Sequence, residues 1–264
     1  MTPAGIFIIL SHMSAKTIVL ANQKGGVGKT TTTANLGACL ADSGKKVLVI
    51  DLDPQGNLTS AVGGDDEIDG IYEVLSGKCP INEAVQDTPV EQLHVIGSNI
   101  HLTGVNVELV DAYRREYYLR NALQELSGSW DYILIDCPPS LGLLTLNGLV
   151  AADYSIIPLQ CEYFALEGLS MLVRTIMNVK KHLNQSLDIM GIVFTMYDQR
   201  TRLARDVVKD VSDYFTDKVF ASLIPRNVRL SEAPSHGLPI NLYDPNCIGA
   251  VRYRELAQEV IERG

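Results

Sequence analysis

Short runs of apolar residues recur along this chain, and longer segments with helical spacing separate them. Several runs are apolar at every position, which is typical of strands that are covered on both faces of a sheet. They predict strands over residues 18–21, 47–50, 93–96, 132–135, 154–159, 189–196 and 219–224. The other segments predict helices over 31–43, 70–75, 81–85, 107–126, 143–151, 166–183, 203–215 and 248–261.

Strands that alternate with helices indicate βαβ units. We therefore predict an α/β fold with a mostly parallel central sheet and helices on both faces. Residues 14–264 show no low-complexity linker and no change of composition, so we expect a single domain there. We interpret residues 1–13 as a leader or an added segment, because Met13 could be the natural start.

The first predicted strand leads into a glycine-rich stretch, Lys24-Gly25-Gly26-Val27-Gly28-Lys29-Thr30, which a helix follows. This order is the context of a phosphate-binding loop. Small residues let backbone N–H groups turn towards an anion, and the helix N-terminus adds partial positive charge. We expect Lys29 to reach the phosphates of a nucleotide and the Thr30 hydroxyl to bind Mg²⁺. The usual first glycine of such loops would fall at Gln23, so this loop is a variant that carries a second lysine, Lys24.

Carboxylates stand where predicted strands end. Asp51 and Asp53 follow one apolar run, and Asp136 follows another. Ligands of open parallel sheets bind outside the carboxyl ends of the strands. The three side chains are therefore candidates for binding Mg²⁺ and for orienting an attacking water.

Composition limits the choice of partners. A formal net charge of −9 gives no general affinity for nucleic acid, so any DNA contact must come from a local patch. Residues 198–229 carry seven basic and five acidic side chains, a modest excess of positive charge. The absence of an apolar run of about 18 residues predicts no membrane-spanning helix. Five cysteines without a C-x-x-C pair indicate free thiols in a reducing compartment, which favours a cytoplasmic protein.

The loop variant is similar to the deviant Walker A motif of the ParA/MinD family of ATPases. Residues 24–31, 51–57, 131–140, 195–202 and 224–239 together resemble ParA chromosome-partitioning proteins of the Soj kind. The resemblance implies a P-loop ATPase with ATP and Mg²⁺ as cofactors, which dimerises face to face on binding ATP. It also implies nonspecific binding to double-stranded DNA and release by a ParB-type partner that stimulates hydrolysis, and so a location on the nucleoid.

The resemblance also implies roles for individual residues. Lys24 would cross to the nucleotide of the partner molecule, Lys29 would hold phosphate in its own subunit, and Asp53 would orient the water. Asp51 and Asp136 would lie in the outer shell of a Mg²⁺ that Thr30 binds. ATP would be held by Lys24, Gly25, Gly26, Val27, Gly28, Lys29, Thr30, Thr31, Pro225 and Asn227, the last two beside the adenine. DNA would be held by Arg200, Arg202, Arg226 and Arg229.

Other functions on the same fold stay open. A MinD-like membrane switch would need a basic amphipathic C-terminal helix, whereas residues 252–264 balance three arginines with three glutamates. An iron–sulfur reductase would need cysteines that bridge two subunits, and only Cys137, beside Asp136, is suggestive. The cargo of a partitioning protein could be a chromosome origin, a plasmid or a protein cluster.

Overall fold

The computed structural model describes residues 15–264, so our interpretation of residues 1–13 lies outside the described residues. One sheet of seven strands forms the centre, in the order β3-β4-β2-β5-β1-β6-β7. Neighbouring strands are parallel except β3, which runs antiparallel to β4. The strands are β1 (Lys16–Leu20), β2 (Val47–Asp51), β3 (Val85–Asp87), β4 (Leu93–Ile96), β5 (Tyr132–Asp136), β6 (Tyr154–Gln160) and β7 (Asp188–Thr195).

Helices occupy the connections between the strands. They are α1 (Lys29–Asp42), α2 (Asn57–Ala61), α3 (Ile71–Leu75), α4 (Val105–Glu108), α5 (Tyr118–Gln124), α6 (Leu143–Ala151), α7 (Ala165–His182), α8 (Arg202–Tyr214), α9 (Val228–Glu232), α10 (Ile240–Tyr243) and α11 (Ile248–Arg263). Short 3₁₀ turns cover Ile100–Gly104, Arg115–Tyr117 and Ala233–His236. Among residues 15–264, none of the helices combines the length and the apolar character needed to span a bilayer.

Two hydrophobic cores lie on opposite faces of the sheet, because successive strand side chains point to opposite sides. Ile18 and Leu20 belong to the core that α1 and α11 cover, whereas Val19 belongs to the core under α6 and α7. The fold class predicted from the sequence, a mostly parallel sheet with helices on both faces, is confirmed.

Three predicted elements differ in the structure. Residues 81–85 form a turn that leads into β3 instead of a helix. The long helix predicted over 107–126 is broken: α4 ends at Glu108, and α5 begins only at Tyr118, after Arg114 has adopted a left-handed conformation (φ 54°) that an α-helix cannot contain. Residues 219–224 make only isolated bridges beside β7, because the backbone N–H groups of Ala221 and Ser222 donate to the Glu259 carboxylate, at 2.8 Å each.

The last helix belongs to the body of the domain, as its balanced charges predict. The apolar side of α11 packs against α1, and the buried Tyr253 hydroxyl lies 3.2 Å from the Thr32 hydroxyl. Tyr253, Leu256, Ala257 and Val260 of α11 are therefore covered by protein.

Candidate functional site

The candidate site forms at the carboxyl ends of β1, β2 and β5, which are neighbours in the sheet. The register pairs Asp51 with Asp136 across β2 and β5, and Leu20 with Asp136 across β1 and β5. The loop after β1 therefore begins beside both carboxylates. Parallel strands explain the convergence, since their carboxyl ends share one edge of the sheet.

The glycine-rich loop has a backbone that suits an anion. Gly26 and Gly28 have φ of 72° and 82°, a left-handed conformation that glycine adopts without steric cost. Directly after Gly28, α1 begins at Lys29 and aims its N-terminus at the loop. Thr195, at the end of β7, donates its hydroxyl to the Val27 carbonyl at 2.7 Å and so fixes the loop from the other side.

Lys29 lies on the inner side of this loop. Its side chain is buried, and its Nζ donates to the Lys24 carbonyl at 3.3 Å. Burial lowers the pKa of Lys29, although the Asp136 carboxylate counteracts this effect. Among the described residues this buried ammonium donates to a carbonyl alone, so it is well placed to receive phosphate oxygens.

Thr30 and Asp136, both predicted to serve the metal, are in direct contact. The Thr30 hydroxyl donates to Asp136 Oδ2 at 2.6 Å, and Thr33 Oγ1 lies 3.2 Å from Asp136 Oδ1. Burial raises the pKa of Asp136 to about 8, and the charge of Asp51 adds to the shift. A nearby cation would remove this penalty.

Asp51 is occupied by its own loop. Its carboxylate accepts the backbone N–H of Asp53 at 3.0 Å and both the N–H and the hydroxyl of Thr59 at 2.9 Å. Burial raises the pKa of Asp51 to about 6, while these hydrogen bonds oppose the rise. Asp51 therefore positions the segment that carries Asp53. The sequence gives no sign of Thr59, which sits eight residues further on.

Asp53 faces the cavity that the loop borders. Its Oδ1 accepts the Gln55 N–H at 3.0 Å, which leaves Oδ2 with no protein hydrogen-bond partner among residues 15–264. Asp53 is one of the side chains that line the cavity, along with Lys29 and Thr30. An acceptor oxygen in this position can take a proton from water that lies over the phosphate site.

The cavity has a volume of about 970 Å³ and extends from the loop to the segment after β7. Pro225 and Asn227, the residues predicted to flank the adenine, line its far end together with Ile224, Leu230 and Pro239. Asn227 Oδ1 caps α9 by accepting the Arg229 N–H at 2.8 Å, so its amide NH₂ is the group left for a ligand. Gly25, Gly26, Gly28 and Thr31 line the near end, whereas Val27 is buried and does not belong to the lining.

The donor set fits Mg²⁺ with a nucleotide. Within residues 15–264 no group of three or more His, Cys, Asp and Glu side chains is arranged as a metal cage. Mg²⁺ needs no such cage, since it is bound by one or two protein oxygens, phosphate and water. The Thr30 hydroxyl offers one such oxygen beside an anion-binding backbone, and the Asp136 carboxylate, which accepts from this hydroxyl, adds negative charge just outside the direct ligands.

Lys24 differs from the other loop residues in its surroundings. It is not part of the cavity lining, and its ammonium forms an ion pair with Glu162, in the connection between β6 and α7. The two side chains are 51% and 44% exposed. Because 138 residues separate them in the chain, Glu162 could not be singled out from the sequence.

The four arginines predicted to bind DNA lie on the surface near the cavity, but most are paired with carboxylates. Arg200 contacts Asp198 at 2.7 Å, Arg202 contacts Asp206 at 3.4 Å, and Arg229 contacts Glu232 at 2.9 Å. Arg226 is exposed and forms no ion pair within the described part of the chain. The bridge between Tyr197 and Pro225 brings the segments of Arg200 and Arg226 together.

The sequence model of a family described as "AAA domain" matches residues 15–189. The chromosome-partitioning ATPase Soj of Treponema pallidum (strain Nichols) is 57% identical over 248 residues, which are 94% of this chain and 98% of that protein. The sporulation initiation inhibitor protein Soj of Bacillus subtilis (strain 168) is 53% identical, over 94% and 99% of the two chains. A crystal structure of cobyrinic acid a,c-diamide synthase from Mycobacterium smegmatis, with bound ATP analogue and magnesium, is 40% identical. It has a TM-score of 0.84 and covers 94% of both chains.

Proposed function

The chain belongs to the Soj/ParA family of chromosome-partitioning ATPases, and from this membership we propose how its site works. We propose that it binds Mg·ATP in the cavity and dimerises face to face around two nucleotides. The dimer binds nonspecific double-stranded DNA on the nucleoid. A ParB-type partner stimulates hydrolysis and so releases it.

The residues around the cavity have separate roles in binding and hydrolysing ATP. Lys29 and the backbone of residues 25–31 hold the phosphates, while Thr30 and Asp136 hold Mg²⁺, Asp136 from its outer shell. Mg²⁺, when bound, would supply positive charge that offsets the negative charge developing on the phosphates. Asp53 orients the attacking water, and Asp51 fixes the Asp53 segment. Pro225 and Asn227 flank the adenine at the far end of the cavity.

The observation that carries the proposal is the position of Lys24. Its ammonium lies at the exposed rim of the phosphate loop and outside the cavity that the loop lines. A cation in this place is available to a second molecule, where it would stabilise the charge on a departing phosphate. Tyr163 and Phe164, which follow Glu162, are 79% and 69% exposed and would be covered by that molecule.

DNA binding follows from doubling a small patch. One protomer offers Arg226 without a carboxylate partner among the described residues, beside the paired Arg200, Arg202 and Arg229. A single patch of this kind is weak, because phosphate contacts are screened by salt. Two patches on one dimer make the binding conditional on ATP.

Two rival functions receive little support from the packing. A MinD-like membrane anchor needs an exposed amphipathic helix, but the apolar side of α11 is buried. An iron–sulfur bridge needs exposed thiols, but Cys137 is 1% exposed and burial raises its pKa.

The test measures oligomeric state and DNA retention together. With ATP and Mg²⁺, light scattering after size exclusion should show a dimer, and DNA binding should appear only with ATP and weaken as salt rises. Lys24→Ala should keep nucleotide binding and lose both dimer and DNA binding. A normal ATP dimer of this variant would remove the role of Lys24 in the partner's site. Co-sedimentation with liposomes in place of DNA would favour the membrane switch.

A further inference from the structure

We infer that Glu162 is a counter-ion that holds Lys24 on its own subunit, and that releasing this pair is a step in ATP-dependent dimerisation. The inference rests on the proposed function, because it assigns Lys24 to the partner's nucleotide. It adds a residue that the motifs of the phosphate loop do not contain. Glu162 would set the protein concentration at which the ATP-bound chain becomes a dimer.

The contact with Glu162 is the outermost of three that join the phosphate loop to β6 and α7. Asn22 Nδ2 donates to the Pro158 carbonyl at 2.8 Å in the interior. Gln23 Nε2 donates to the Gly168 carbonyl at 3.3 Å, and the Lys24 ammonium donates to Glu162 Oε2. The first contact is buried and structural, whereas the last is exposed.

Exposure makes the pair reversible. A half-exposed ion pair is weakly stabilising, because water and salt screen both charges. Such a pair can hold the lysine in the single molecule and still yield to a stronger anion. A triphosphate carries several negative charges in one place and is therefore a better partner for an ammonium than one carboxylate.

The backbone keeps Glu162 within reach while the pair is open. Its N–H donates to the Gln160 carbonyl at 2.9 Å, and its carbonyl accepts the Ala165 N–H at 3.0 Å. The Lys24 N–H is likewise held by Asn22 Oδ1 at 3.0 Å. Opening therefore needs only side-chain rotations, and the loop conformation that binds phosphate is retained.

The expected size of the effect follows from the exposure of the pair. An exposed ion pair shifts an equilibrium by roughly 1.4- to 5-fold. Two pairs open for each dimer, so removing both raises the association constant by roughly 2- to 30-fold, if the contributions of the two protomers add in free energy. Added salt should reduce this difference, because it already weakens the pair in the unsubstituted protein.

The experiment compares Glu162→Gln, Glu162→Asp and the unsubstituted chain by sedimentation, with a non-hydrolysable ATP analogue and Mg²⁺. Glu167→Gln is the matched control. Glu167 is exposed in the first turn of α7 and forms no ion pair within residues 15–264. The glutamine variant should dimerise at lower protein concentration, the aspartate variant should lie between it and the unsubstituted chain, and the control should match the latter.

Each other outcome has a definite meaning. If the unsubstituted chain dimerises and Glu162→Gln dimerises equally or less well, the inference is overturned while the proposed function stands. Weaker dimerisation would mean that Glu162 supports Lys24 within the dimer. If neither protein forms a dimer with the analogue, the proposed face-to-face dimer fails and the inference fails with it. Far-UV circular dichroism should be identical for all variants, since both side chains of the pair lie at the surface.

Discussion

Replacing Asp136 with asparagine should stabilise the metal- and nucleotide-free protein while it weakens the binding of Mg·ATP. Asp136 is fully buried, and burial together with the charge of Asp51 raises its pKa to about 8. Thr33 Oγ1 already lies within 3.1 Å of the Lys29 carbonyl, its natural acceptor. The hydroxyl of Thr33 can therefore accept a hydrogen bond from a protonated Asp136, or from the amide of asparagine, at the same 3.2 Å.

The magnitude follows from linkage. A carboxyl group whose folded-state pKa is raised contributes stability below its unfolded pKa, near 4, and this contribution is lost as pH rises through the folded pKa. With a folded value of about 8, the loss between pH 6 and pH 8 is roughly 2 kcal/mol. Asparagine carries no charge, so the advantage of the variant should grow by this amount. For a domain of this size, the difference in Tm should widen by roughly 4–8 °C.

The assay is thermal unfolding of both proteins in EDTA at pH 6, 7 and 8, well above the sequence isoelectric point near 5.0. A parallel titration with Mg·ATP should show weaker binding to the variant, because the oxygen beside Thr30 has lost its charge. A stability difference that does not change between pH 6 and pH 8 would refute the reasoning. So would a variant that is less stable than the parent at pH 8.

Three further predictions concern the loop, the reaction and DNA. Thr195→Val should lower the free energy of unfolding by about 1–3 kcal/mol and weaken nucleotide binding, because it leaves the buried Val27 carbonyl without its 2.7 Å donor. Thr195→Ser keeps the hydroxyl and should restore both the stability and the nucleotide affinity, which calorimetry would measure. Asp53→Ala should dimerise with ATP but hydrolyse it slowly in a phosphate-release assay, and unchanged turnover would remove Asp53 from catalysis. Because Arg226 also lines the cavity, Arg226→Glu is tested at saturating ATP, where it should weaken DNA retention in a gel assay while the dimer persists. Lys181→Glu, an exposed charge at the far end of α7, should leave DNA retention unchanged; equal loss in both variants would place the DNA contact elsewhere.

Much of the site could be predicted because its information is local. The phosphate loop needs glycines at left-handed positions and a helix directly after them. Both features can be read from one short stretch, since Gly26 and Gly28 lie immediately before α1. Asp51 and Asp136 follow apolar strands, so a parallel sheet alone brings them together at its carboxyl edge. The proximity of Asp51 and Asp136 could therefore be predicted without a structure.

What the sequence did not predict depends on contacts between distant segments. Residues 219–224 have the composition of a strand, but Glu259 on α11 takes the N–H groups that a ladder would use. The helix predicted over 107–126 is interrupted after Glu108 and again at Arg114, whose left-handed backbone could not be predicted from the residue types in that segment. Thr59 and Glu162 were missed for the same reason, since their roles exist only through partners placed by the fold.

The electrostatics of the site argue for a ligand independently of any motif. A buried ammonium on Lys29 has a lowered pKa, and two neighbouring buried carboxylates, Asp51 and Asp136, have raised ones. Each environment therefore disfavours the charged form of the side chain that it surrounds. Apolar residues of similar volume at these positions would not carry this cost in stability. Phosphate oxygens would pair with the ammonium, and the charge of a divalent cation would offset that of the carboxylates, so both penalties would fall in the presence of Mg·ATP. The fold retains these charges at a cost in stability. A ligand that binds only the folded chain stabilises it by mass action, and relief of this cost would add to the affinity for Mg·ATP.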